Sequence, residues 1–299
     1  MISPDLLIVG GAKDPNIAIL ATAARSLGCA AVALVFGDRC EPGFSWDLAA
    51  CQLFVDGEAL RPRAAFLRQD VFSYADGLQP DRLDRALAWH AALTGCCVSD
   101  DSVRVFNRHM DWRTASKPIM LKLAQLHGLA IPPTVVSNRE DTVRSLQRRS
   151  PQIAKPVAGG AYCCEVDDLL DGFLWESGVA PVPAIVQERL KYPEYRIYVI
   201  GEDLMAFELT SNHIDYRTDR QCEIRFVSMS AIPESTRLGL GALARDVGID
   251  FGAADFKTNS ATGELCFLEL NNQPMFAAHD HVSGGALGRK IVRALVPSS

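Results

Sequence analysis

Nowhere does the sequence hold a run of about 20 apolar residues, the length that a membrane-spanning helix requires. Its opening, Met1-Ile2-Ser3-Pro4-Asp5, places no basic stretch before the first short apolar run. A spanning helix, a signal peptide and a membrane partner are therefore not expected. A basic surplus is missing too: 30 Lys and Arg stand against 36 Asp and Glu, a formal net charge of −6. Proteins that bind nucleic acid usually carry a basic patch that releases counterions, so this balance argues against nucleic acid as a partner. The nine cysteines are odd in number, and Cys96-Cys97 and Cys163-Cys164 are adjacent instead of spaced like zinc ligands or a disulfide framework. A reduced, cytoplasmic, soluble chain is the expectation. There is no internal repeat and no low-complexity tract.

What is present is an ordinary globular composition, 48% hydrophobic and 22% charged over 299 residues, enough for one large core or two to three lobes. The run Leu6-Leu7-Ile8-Val9 ends at Gly10-Gly11, a helical pattern spans 17–27 up to Gly28, and 30–35 reads as a strand again. That βαβ opening suggests a parallel sheet; the Gly-Gly pair lacks a complete dinucleotide fingerprint and reads as a tight turn. Between 41 and 76 the pattern is poor, with short strands at 52–55 and 64–67, and 81–93 is helical. A second lobe opens with a helix over 113–127 closed by Gly128, a strand at Val135-Val136 and helix-start candidates Ser137 and Asn138. Strands follow at 152–156 and 184–188, with a turn at Ala158-Gly159-Gly160 between them. A hairpin joins 195–200 to 204–209, a helix covers 233–247, and strands 252–256 and 265–270 precede a short helix at 288–295.

The residues that carry chemistry cluster late in the chain. Asp255 closes one strand and Glu269-Leu270-Asn271 closes the next, and the two-residue alternation of a strand puts Glu269 and Asn271 on one face. Two carboxylates and an amide oxygen suit Mg²⁺, a hard cation that keeps waters and substrate phosphates in its other positions. Lys155 ends an apolar strand before the glycine turn, and Lys117 stands near a helix start; both can meet phosphate oxygens. Arg196, in an otherwise apolar strand, and Arg217, in the polar loop after it, present planar forks that match phosphate or carboxylate. Taken singly, each of these also reads as a solvated strand end, a surface charge or a structural ion pair. His213 reads as a hydrogen-bonded loop histidine rather than a base.

In order along the chain, over roughly 105–285, the segments Ser116-Lys117-Pro118, Ile153-Ala154-Lys155-Pro156 with Gly159-Gly160, Val186-Gln187-Glu188-Arg189-Leu190, Glu194-Tyr195-Arg196, Ile214-Asp215-Tyr216-Arg217, Ala253-Ala254-Asp255-Phe256 and Phe267-Leu268-Glu269-Leu270-Asn271 resemble the ATP-grasp superfamily. The likeness is to the group with glutathione synthetase, ribosomal-protein glutamate ligases and the ligases that crosslink microviridin-type peptides. It implies an α/β and α+β fold: an N-terminal parallel-sheet lobe over 1–105, then ATP-grasp lobes over 106–190 and 191–299 with ATP between them. It implies Lys117 and Lys155 on the ATP phosphates, Gln187, Glu188, Arg189 and Leu190 around adenine, and Glu194 near the ribose. Asp255, Glu269 and Asn271 would bind two Mg²⁺ ions, with Mn²⁺ as the alternative, and Arg196 and Arg217 would be the catalytic arginines.

The activity so implied is ATP-dependent joining of a carboxylate to an amine or hydroxyl, through an acyl phosphate, on a small molecule or a peptide. The alternatives are a nucleotide-binding module and a kinase-like phosphotransferase. The family suggests a homodimer. Two stretches depart from its pattern: Gln273 to Asp280 is more apolar than the usual continuation, and Tyr162-Cys163-Cys164 replaces the small residues that follow the glycine pair.

Overall fold

The computed structural model describes residues 1–37, 41–72, 80–158, 162–172 and 175–297. The chain forms two compact units, Met1–Arg108 with Gln273–Ser299, and His109–Asn272.

In the first unit, β1 (Leu6–Gly11), α1 (Pro15–Ser26) and β2 (Ala31–Phe36) realise the βαβ opening. The helix starts two residues earlier than its apolar pattern because Asp14 caps it, accepting from the Asn16 N–H, and Pro15 pre-sets the first turn. A small antiparallel sheet, β3 (Phe44–Asp47), β4 (Gln52–Val55) and β5 (Glu58–Leu60), occupies the stretch that was hard to read. Strands this short carry too few alternations to show a period. Next come β6 (Ala64–Leu67), α2 (Pro80–Ser99) and β7 (Arg104–Val105), completing a parallel sheet in the order β2-β1-β6-β7. Its inner strand β1 is buried along its whole length, which is why it reads as an unbroken apolar run. The helix α2 outruns its sequence pattern to Ser99, with Leu93, Cys96 and Cys97 buried at helical spacing.

The first α-helix of the second unit starts a turn later than the pattern over 113–127, because Trp112–Ala115 form a 3₁₀ turn capped by Asp111, and α3 (Lys117–Leu126) begins where Pro118 fits its first turn. Strand β8 (Thr134–Arg139) runs through Ser137 and Asn138, so α4 (Glu140–Gln147) begins beyond both expected start residues; pairing with a neighbouring strand outweighs their capping preference. With β9 (Gln152–Pro156), β10 (Cys164–Glu165), α5 (Val166–Gly172) and β11 (Val179–Glu188) it forms an antiparallel sheet in the order β10-β9-β11-β8. Val143, Ala154, Val166 and Val186 pack α4 and α5 on one face of it. Gly159 and Gly160 of the expected turn lie outside the described residues.

The larger sheet has the order β14-β13-β12-β15-β16, built from β12 (Lys191–Ile200), β13 (Asp203–Thr210), β14 (Glu223–Val227), β15 (Phe251–Thr258) and β16 (Leu265–Asn271), with α6 (Glu234–Asp246) between β14 and β15. Ile197, Val199, Ala206, Ala254, Phe256 and Phe267 share a core with α3 and α6 residues such as Leu121, Ala124, Leu240 and Leu243. Alternation then leaves the other face to residues one position away, Arg196 and Asp255 among them. Gly248 ends α6 at φ +67°, and a side chain there would run into the His109 carbonyl, so this stop admits glycine alone.

Whereas the sequence reading extends the last lobe to 299, the tail, α7 (Ala277–Val282) and α8 (Ala286–Leu295), groups with the first unit. Buried side chains there take up the tail's backbone polar groups. Arg68, paired with Asp14, donates to the carbonyls of Gln273 at 3.2 Å and Pro274 at 2.9 Å. Asn16 Oδ1 accepts from the N–H groups of Phe276 at 2.8 Å and Ala277 at 2.9 Å. Asn16→Ala strands two buried N–H donors, and we expect it to lower the unfolding free energy by about 2–4 kcal/mol, read by urea denaturation. A loss below about 0.5 kcal/mol would show that the tail is held by apolar packing alone.

Candidate active site

Strand register assembles the core of the site. Arg196 on β12 is the cross-strand partner of Asp255 on β15, and Asp255 is that of Glu269 on β16, so the three side chains stand in one row on one face. Between Asp255–Glu269 and Phe256–Phe267 the pairing slips by one residue, which leaves Leu268 as a bulge beside the carboxylates. Asn271 lies on the same face and donates from Nδ2 to Glu269 Oε1 at 3.1 Å.

Arg196 and Asp255 are each 5% exposed. One guanidinium nitrogen, Nη1, donates to both Asp255 oxygens, at 3.1 and 3.2 Å, and to the Tyr216 hydroxyl at 2.6 Å. Burial pushes the Asp255 carboxyl up to about 7; Arg196 pulls the other way, while Glu194 and Glu269 add to the rise. Crowded carboxylates raised in this manner are relieved by a cation. Asp255, Glu269 and the Asn271 amide offer oxygen donors from neighbouring strands, a set that fits Mg²⁺. Among the described residues no group of three or more His, Cys, Asp or Glu could hold a metal, so this trio with its amide donor is the arrangement to consider.

Two lysines face these acids. Lys117, the first residue of α3, places Nζ 4.0 Å from Glu269 Oε2. Lys155 on β9 pairs with Ile185, on the face of the smaller sheet turned away from α4 and α5. Burial lowers its pKa, Glu269 raises it, and the like charge of Lys117 lowers it again. Lys117, Lys155, Asp255 and Glu269 thus share one electrostatic field, as phosphate binding beside a metal requires.

Arg217 follows a tight turn. Asp215 caps the turn at the Arg217 N–H and grips the guanidinium through Nε at 2.8 Å and Nη2 at 2.5 Å. The guanidinium lies 5.0 Å from the centre of the Tyr162 ring, and its side chain keeps 43% exposure. The hydrogen bonds it donates to Asp215 hold Arg217 above the usual arginine range. Asp215 also accepts from the Cys163 N–H at 3.4 Å, which ties the unusual Tyr162-Cys163 stretch to this turn.

The residues expected around adenine lie at the end of β11. Gln187 is fully buried, and its Nε2 donates to Thr134 Oγ1 at 2.9 Å. That hydroxyl spends its own proton on the Pro132 carbonyl, which fixes the amide's orientation and leaves Gln187 Oε1 with no partner among the described residues. Glu188 and Arg189 donate their N–H groups to Pro133 and Pro151, and Leu190 is buried. The Arg189 side chain is turned to Glu165, 2.6 Å away. Glu194 is equally occupied, 5% exposed and 3.3 Å from Lys257 Nζ. Sequence reasoning missed Lys257; a lone lysine inside the apolar run of β15 was the available signal.

Among the described residues no helix is long and apolar enough to cross a membrane. No family model matches the chain, and no curated protein matches it. Solved structures do. The ATP-grasp ligase PsnB, complexed with a minimal precursor, Mg and ADP, is 24% identical with a TM-score of 0.73, covering 98% of this chain and 96% of that one. The macrocyclase MdnC of Microcystis aeruginosa MRC, bound with precursor peptide MdnA, is 17% identical with a TM-score of 0.72, covering 99% and 100%. The VanG D-Ala:D-Ser ligase of Enterococcus faecalis is 16% identical with a TM-score of 0.58, covering 99% of both chains. Likeness along nearly the whole chain, to ligases with different substrates, establishes the architecture: this chain has the ATP-grasp fold.

Proposed function

We propose that this chain is a Mg²⁺- and ATP-dependent ligase that activates a carboxylate as an acyl phosphate and couples it to an amine or hydroxyl. The observation that carries the reading is the row Arg196–Asp255–Glu269, with Lys117 4.0 Å from Glu269 and Lys155 in the same field. The nucleotide is seated between the two sheets of the second unit, the sheets of β8–β11 and β12–β16. Precursor peptides bound to PsnB and MdnC support a peptide as the carboxylate substrate here. The unpaired cysteines support a reducing compartment, the cytoplasm.

In the reaction, the γ-phosphoryl group of ATP passes to a carboxylate oxygen, giving ADP and an acyl phosphate. The nucleophile then attacks the carbonyl carbon, the new C–N or C–O bond forms, and phosphate leaves. Phosphoryl transfer asks for positioning and charge neutralisation more than for covalent help, so no protein nucleophile is required. Lys117 and Lys155 offset phosphate charge, and the link from Gln187 to Leu190 seats adenine. Asp255, Glu269 and Asn271 would hold the metal, which would neutralise charge on the phosphate oxygens. Arg196 orients Asp255 from beneath, and Arg217, half-exposed and already stacked, meets the oxygens of the acyl phosphate.

The deciding experiment is to screen carboxylate-bearing peptides with Mg·ATP while measuring ADP and free phosphate. Ligation yields the two in equal amounts, whereas phosphate retained on the product would replace this reading with a phosphotransferase. In calorimetry, Asp255→Asn with Glu269→Gln removes the Mg²⁺ dependence of ATP binding, and Lys155→Ala weakens ATP by roughly ten- to a hundredfold, the scale of one charge-assisted hydrogen bond. Wild-type affinity in Lys155→Ala would remove that lysine from the phosphate site. Burial and the neighbouring carboxylates raise the Asp255 carboxyl towards about 7, and a metal binds only the ionised form, so Mg²⁺-dependent affinity rises with pH between 6 and 8. A flat titration across that range would mean that Asp255 is no ligand.

A further inference from the structure

Lysine is almost never buried unless paired, because stripping an ammonium of water costs several kcal/mol. Lys257, on β15 two residues past Asp255, is only 7% exposed. Its Nζ has three partners, two on β12 and one in the loop after β13. Glu194 Oε2 on β12 lies 3.3 Å away, the Ile214 carbonyl accepts at 2.9 Å, and the Tyr192 ring centre is 3.9 Å distant.

The Ile214 contact gives the arrangement a direction. Ile214 belongs to the loop from Ser211 to Asp219, whose base is closed by Ser211 Oγ donating to Asp219 at 2.6 Å. Tyr192, beneath the same ammonium, donates its hydroxyl to the His213 carbonyl at 2.7 Å. Consecutive carbonyls, 213 and 214, are therefore pinned from below by a tyrosine and a lysine that touch each other. The next residue, Asp215, caps the turn and grips Arg217. A hydrophobic side chain would fill the volume of Lys257 at less cost but could not hold a backbone carbonyl. Moreover, Lys257 brings its charge into β15 itself, so the loop is fastened to the strand that carries Asp255.

We propose that Lys257 is a positioning residue that fixes the 211–219 loop, and with it Arg217, to the metal-site strand. The link to chemistry rests on the proposed role of Arg217; the structural claim does not. It is tested by amide hydrogen exchange on the full chain. In Lys257→Met the amides of 213–219 exchange at least tenfold faster than in wild type, those of β12 and β13 stay within about twofold, and trypsin cuts sooner after Arg217 and Arg220. Lys257→Arg, which keeps a donor, restores most of the protection. Tyr192→Phe, which removes only the His213 bond, shifts the same amides in the same direction by a smaller factor and serves if Lys257→Met does not fold. Unchanged loop exchange in both Lys257→Met and Tyr192→Phe, or loss of protection spread over the whole sheet, overturns the proposal.

A second arm uses acetyl phosphate as an acyl-phosphate probe in the presence of Mg·ADP. Its affinity falls at least tenfold in Lys257→Met as in Arg217→Ala. If wild type does not bind the probe while the loop responds as described, the acyl-phosphate role of Arg217 fails and the positioning role of Lys257 stands.

Discussion

The ion pair between Arg196 and Asp255 is the constraint around which the second unit is organised. Two charges, each 5% exposed, stand opposite each other on adjacent strands, and a displaced register would leave either one buried without its partner. Removing one member of such a pair costs far more than the pair gains, so the attraction works chiefly as a lock on alignment. From that lock follow the place of Glu269 beside Asp255, the bulge at Leu268 and the face on which Asn271 emerges. The opposite face follows as well, because the positions alternating with Arg196 and Asp255 fill the core against α3 and α6.

The polar face is a chequerboard of opposite charges. Glu194 meets Lys257, Arg196 meets Asp255, Arg217 meets Asp215, and Lys117 approaches Glu269. Yet the residues differ in what they can still do. Arg196 and Lys257 are enclosed and engaged, whereas Arg217 retains 43% exposure and Lys117 27%. Burial divides these cations into those enclosed within the site and those still open to solvent. It also explains the raised pKa of Asp255: burial acts first, and the carboxylates of Glu194 and Glu269 add to it.

In the first unit a second buried polar cluster does comparable work. Arg68, Asp14 and Asn16 satisfy the backbone of Gln273 to Ala277, so the stretch that departs from the family pattern is a docked strap with Phe276 fully buried. Its apolar character follows from that burial. Tyr162 and Cys163, the other departure, take up Arg217 and Asp215. Both oddities of sequence therefore sit where they support an arrangement of neighbouring residues.

The sequence by itself determined the strands on which the candidate site stands. Alternation alone put Glu269 and Asn271 on one face, and the ordered segments pointed to the fold. Tertiary structure decided the rest. That Glu194 and Lys257 neutralise each other, that Asp215 holds Arg217, and that Glu188 and Arg189 spend their N–H groups on Pro133 and Pro151 are contacts between residues far apart in the chain or fixed by turns, which no period reveals. The short strands β3 and β5 that flank the expected strand at 52–55, and the placement of residues 273–299 in the first unit, escaped for the same reason. Local spacing reports which face a residue takes within its own element; which partner it meets depends on the packing of elements that only the folded chain brings together.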